Sequence, residues 1–64
     1  MKVNGITIFL EKNQSLYDFL KAQNYDMCKI AVERNGKIVP KATYKDVELY
    51  DEDTIEVVRF VGGG

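Results

Sequence analysis

The sequence predicts an α+β roll, a mixed sheet of four or five strands packed on one short helix. Three observations carry that reading. Two Asn-Gly dipeptides, Asn4-Gly5 and Asn35-Gly36, each divide a pair of short apolar-rich runs. Between them lies a serine-led stretch with apolar residues at helical spacing. A β-branched run, "TIEVVRFV", follows near the end of the chain. Each strand and the helix has one apolar face to bury, and laying the helix on the sheet buries them together.

Asn-Gly favours the two-residue hairpin turn, because both central residues must take positive φ. A turn at Asn4-Gly5 sets Val3 opposite Ile6. Alternation then places Met1, Val3, Ile6, Ile8 and Leu10 on one face and leaves Phe9 pointing outward. In "NQSLYDFLKAQN", Ser15 followed by Asp18 resembles a capping box, and Leu16, Phe19 and Leu20 form an apolar stripe. Asn24 supplies a left-handed stop. The helix is about ten residues long and holds only by packing that stripe on the sheet.

The second hairpin sets Val32 opposite Val39, both facing the core. Pro40 lacks an amide hydrogen, so its strand ends there or borders the sheet. The irregular segment "KATYKDVELYDED" packs Tyr44, Val47 and Leu49 as a satellite of the core, and its acids Asp51, Glu52 and Asp53 form a solvated turn. In the last strand Ile55, Val57 and Arg59 share one face, while Glu56, Val58 and Phe60 share the other. Both faces therefore carry apolar residues, whereas a strand with one wet face alternates more cleanly.

Composition bounds the function. The chain has 64 residues, 45% of them apolar, which suits one domain with a single core. Chains of this size hide only about 60% of their unfolded surface, so stability is modest. A formal net charge of −1 argues against binding nucleic acid by phosphate neutralisation, and no basic cluster suits a membrane surface. No apolar run is long enough for a signal peptide or a membrane span. Cys28 is the single cysteine, which fits a reducing cytoplasm; a half-buried structural role is expected for it. With no histidine, a Ser-His or Cys-His catalytic pair is excluded and a zinc site is disfavoured. A phosphate-cradling loop of the Walker type is absent from the sequence as well.

The sequence finishes on "RFVGGG". Glycine loses the most freedom on ordering and buries no side chain, so Gly62, Gly63 and Gly64 serve no sheet or helix. A frayed terminus is one reading. A thin, flexible tail with a functional carboxylate is the other. Residues 1–61 are then the folded domain and 62–64 the tail.

The order hairpin, helix, hairpin, strand resembles the ubiquitin-like β-grasp proteins. Together with "VNG", "IAVERNGKIVPK" and "LYDEDTIEVVRFVGGG", it is similar to the sulfur carrier proteins of thiamine (thiazole) biosynthesis. Two departures stand out: Glu52 occupies a position where that family often has glycine, and the first strand is short. The resemblance implies a carrier and not an enzyme. A ubiquitin-activating-enzyme-like adenylyltransferase, using ATP and Mg, would adenylate the carboxylate of Gly64. Sulfur from a donor such as a cysteine desulfurase would convert it to a thiocarboxylate, and thiazole synthase would accept that sulfur. Gly62 and Gly63 would thread the end into partner active sites, and no cofactor would be bound by the carrier itself.

An exposed apolar patch of Val58, Phe60 and Val61, with Arg59 beside it and Phe9 extending it, would dock those enzymes. The carrier would be a monomer forming transient heterocomplexes. Four alternatives stay open: a small subunit of molybdopterin synthase, a carrier for tRNA thiolation, a modifier conjugated to other proteins, and a β-grasp interaction module without acyl chemistry.

Overall fold

The computed structural model describes residues 1–10 and 12–60. The elements are β1 (Lys2–Val3), β2 (Ile6–Thr7), α1 (Leu16–Ala22), β3 (Ile30–Arg34), β4 (Lys37–Ile38) and β5 (Thr54–Arg59). They form one five-stranded sheet in the order β2-β1-β5-β3-β4, crossed on one face by α1. β5 is central, parallel to β1 and antiparallel to β3. The sheet is therefore mixed, as expected.

Both Asn-Gly turns form, with φ of 51° and 83° at Asn4-Gly5 and 52° and 84° at Asn35-Gly36. They set the expected registers. Val3 pairs with Ile6, and the Val39 amide donates to the Val32 carbonyl at 2.9 Å. Asn24 takes φ 63° at the end of the helical region, as expected of a left-handed stop. Ser15 Oγ accepts from the Asp18 amide at 3.0 Å and caps α1. The neighbouring amides of Leu16 and Tyr17 donate to the carbonyls of Val47 and Tyr44, so the helix start is satisfied by the 44–47 segment. α1 spans seven residues, shorter than expected.

Leu16, Phe19 and Leu20 from α1 bury against Val3, Ile30, Val32, Ile55 and Val57 from the sheet. Each fully buried side chain of this size contributes about 1.5–3 kcal/mol, which compensates for a helix too short to stand alone. Tyr44 and Leu49 belong to this main core and not to a satellite, because their segment closes the end of the helix–sheet layer; Val47 packs at its border. Burial raises the Tyr44 phenol above its ordinary pKa, so it stays neutral.

Three further expectations are corrected. Ile6 shares the inner face with Val3 but is 67% exposed, because β2 is the outermost strand of the sheet. Cys28 is exposed in a 3₁₀ turn, where Asp26 holds its amide, instead of half-buried. Asp53 is buried rather than solvated and forms the one ion pair among the described residues, to Arg34 at 3.0 Å.

The environment of Asp53 explains its burial. Its carboxylate accepts from Arg34, from the Tyr50 amide at 2.9 Å and from Asn35 Nδ2 at 3.0 Å. Burial alone raises its pKa, but the bond from Arg34, those from Tyr50 and Asn35, and the Arg34 charge outweigh that effect, so the pKa is lowered. The departure at Glu52 is harmless for a related reason. The Tyr50–Asp53 turn closes through an amide-to-carbonyl bond of 3.0 Å, and Glu52 is not among the residues with positive φ.

A depressed native pKa contributes stability above the ordinary aspartate value, about 3.9, and that stability fades as pH falls through the lower native value. Urea unfolding followed across the acid range should show this loss in the wild type. In Asp53→Asn that component of the slope should disappear, and stability at neutral pH should fall by about 1–3 kcal/mol.

Candidate docking face and tail exit

The candidate site is the last turn of chain along β5, where the sheet hands over to the glycine sequence. Two asparagines anchor this strand. The Val57 amide donates to Asn4 Oδ1 at 2.8 Å, and Asn4 Nδ2 donates to the Val57 carbonyl at 3.3 Å. The Asn4 side chain thereby continues β1 past its turn by imitating a peptide group. At the other end of the strand, Asn35 Oδ1 accepts from the Thr54 amide at 2.9 Å. The Phe60 amide donates to the Lys29 carbonyl at 2.8 Å, so pairing with the β3 side persists one residue beyond β5.

Alternation along this fixed strand decides where each side chain goes. Val58 and Phe60 lie on the face away from α1 and are 53% and 57% exposed. Arg59 lies on the helix side, its guanidinium carbon 5.0 Å from the centre of the Tyr25 ring. That stacking is worth about 0.5–1 kcal/mol at an exposed site. Asn24, Asp26, Lys29, Ile30, Arg59 and Phe60 line a cleft of about 200 Å³ beside the exit.

The structure unites only part of the predicted site. Val58 and Phe60 share the outer face, with Arg59 turned away from them. Phe9 points outward as expected and is 84% exposed, but it does not extend their patch. Thr7 is level with Lys2 and Thr54, and from there the chain runs away from the end of β5. Phe9 is consequently about eight residues, roughly 25 Å, from Phe60 along the strand direction. Val61, Gly62, Gly63 and Gly64 lie outside the described residues.

Two unanticipated residues join the face. Ala31 opposes Val58 across β3 and β5, and Ile38 on β4 opposes Glu33 and is 67% exposed. Ile38 was available from the Asn35-Gly36 register, since an inward Val39 implies an outward Ile38. Ala31 required the register between β3 and β5, which joins residues far apart in sequence.

Among the described residues, no group of three or more acidic, cysteine or histidine residues is arranged to hold a metal ion. Nor is any helix among them long and apolar enough to cross a membrane. What the geometry provides is a strand end held to β3 as far as Phe60, with Val58 and Phe60 exposed on its outer face.

A mixed five-stranded sheet wrapped on one helix, with its last strand central and leading outward, is a ubiquitin-like β-grasp fold. The crystal structure of the thiamine biosynthesis protein ThiS from Geobacter metallireducens matches it with a TM-score of 0.78 and 26% identity, covering 98% of this chain and 96% of that one. The sulfur carrier protein ThiS of Bacillus subtilis (strain 168) is 38% identical over 65 residues, covering 100% of this chain and 98% of that protein. A thiazole synthase of Paramagnetospirillum magneticum is 39% identical over 62 residues, covering 97% of this chain but 19% of the synthase. The ThiS family model matches residues 1–64, and the chain belongs to the ThiS family.

Neighbouring residues test the assignment of faces. In urea denaturation, Val58→Ser should change stability by no more than about 1 kcal/mol, as expected for an exposed strand position. Val57→Ser, one residue away but buried, should cost about 2–4 kcal/mol. Equal losses would mean that β5 does not present Val58 to solvent.

Proposed function

We propose that the chain is a sulfur carrier for thiazole formation in thiamine biosynthesis, with the acyl group at Gly64. The observation that carries this reading is the full-length ThiS family match on a β-grasp whose central strand leads into Val61-Gly62-Gly63-Gly64. A carboxylate resists sulfur attack until one oxygen becomes part of a good leaving group. An activating enzyme of the ubiquitin type supplies it by transferring AMP from ATP, with Mg in its own site, and releasing pyrophosphate. A sulfur nucleophile then displaces AMP, and a thiol reduces the adduct where the donor is a persulfide such as that of a cysteine desulfurase. The product is a thiocarboxylate.

The carrier supplies the carbonyl carbon and its delivery. Glycines beside that carbon leave it open from several sides and let one tail enter more than one channel. The anchored end of β5, with Val58 and Phe60 outward, gives both enzymes a common place to grip while the tail is drawn in. Thiazole synthase as acceptor is supported by the synthase of P. magneticum, a stretch of which resembles this chain along 97% of its length. Transient complexes with a monomeric carrier follow from the need to exchange partners between charging and delivery.

Deletion of Gly62, Gly63 and Gly64 separates a carrier from a plain interaction module. The shortened chain should keep its circular dichroism and melting behaviour and should still compete with the intact carrier for the activating enzyme. Its support of thiazole formation in a coupled assay should be lost entirely. Retained thiazole formation would overturn the proposal.

A further inference from the structure

The outer face contains a local conflict that the fold does not require. Glu33 on β3 and Glu56 on β5 are directly opposite one another. Like charges at opposed positions of an antiparallel pair destabilise it, with Cβ atoms about 4.5–5.5 Å apart. Neither carboxylate has an ion-pair partner among the described residues. Asn4, level with Glu56 on the β1 side, has its amide committed to Val57. Ile38 opposes Glu33 on the β4 side and offers no charge.

One step toward the tail exit the character of the face changes. Ala31 opposes Val58, and Phe60 follows two residues on. The face is therefore an apolar area bordered by two adjacent carboxylates that form no ion pair among the described residues, the nearest cation on that face being Lys2, diagonal to Glu56 across β1 and β5.

We infer that Glu33 and Glu56 determine docking specificity by receiving an arginine or lysine of the enzyme that takes up the tail. An apolar side chain of that enzyme then rests on Val58, Phe60 and Ala31. This inference builds on the carrier proposal. An enzyme that takes up the tail meets the chain at this end of β5, beyond which the sequence runs on to the glycines, and this argues for that enzyme as the occupant. A neutral surface covering the pair would desolvate two carboxylates without compensation and be rejected; a cation relieves both their desolvation and their mutual repulsion. A second copy docking with its two-fold axis through the glutamate pair would lay one pair against the other, so these residues disfavour self-association centred there.

The test uses the activating enzyme itself as the probe, reading carrier-dependent ATP–pyrophosphate exchange at several salt concentrations. The variant is the double substitution Glu33→Gln with Glu56→Gln. The melting temperature should hold or rise, because repulsion within the sheet is relieved. The KM for the carrier should rise roughly tenfold with kcat little changed, and its salt dependence should flatten. A purely structural role for the glutamates would instead lower the melting temperature and leave the salt dependence alone. Wild-type exchange with the same KM and salt slope in the double variant would overturn this inference while leaving the carrier proposal standing. No exchange with the wild-type chain, by an enzyme active on another carrier, would overturn both. A wild-type homodimer that the double substitution dissociates would overturn the inference by making a second copy the occupant.

Discussion

The fold as a whole depends on the anchoring of β5. The strand is paired on both sides, and the asparagine of each hairpin turn reaches across to it, Asn4 at Val57 and Asn35 at Thr54. The residues that make the turns thus also hold the central strand. Asn-Gly suits the positive φ of each turn, and the freed carboxamide adds bonds that a short strand lacks: Asn4 exchanges a donor–acceptor pair with Val57, and Asn35 accepts from the Thr54 amide and donates to Asp53. Asp53 completes the arrangement at the start of β5 by joining Arg34, Asn35 and the Tyr50 amide. A domain of this size has a small core, so a few well-satisfied polar links at its central strand matter more than in a larger fold.

Much of the architecture was legible in the sequence because it rests on local chemistry. Both turns, the Ser15 cap, the left-handed Asn24, the apolar stripe of α1 and the split faces of β5 depend on residues within a few positions of one another. What escaped depends on distance. Asp53 looks like one of three solvated turn acids until Arg34, far earlier in the chain, is brought to it. The exposure of Ile6 follows from β2 lying outermost, and the inclusion of Tyr44 and Leu49 in the core follows from how the irregular segment closes the layer. The separation of Phe9 from Phe60 rests on the parallel pairing of β1 with β5, which no local pattern reveals. For the candidate site, the outward pair Val58 and Phe60 was readable from alternation alone, and Ile38 from its hairpin register. Ala31 and the opposition of Glu33 to Glu56 were not.

The resulting division of labour is a physical one. The described residues offer a partly apolar surface at the end of β5, and the glycine sequence offers a carbonyl without flanking side chains. Enzymes of the ubiquitin-activating type and thiazole synthase would supply the nucleotide, the sulfur and the remaining chemistry. In the carrier proposal anchoring and thinness would be complementary: the paired end of β5 would fix the point of docking, and glycines would leave the reacting carbonyl unobstructed.

The most direct test is an intact-mass spectrum of the full chain after incubation with ATP, an activating enzyme and a sulfur donor. The carrier account predicts a mass gain equal to one oxygen replaced by one sulfur, localised by fragmentation to Gly64. An unchanged mass, under conditions in which the same enzyme and donor convert another carrier, would contradict it.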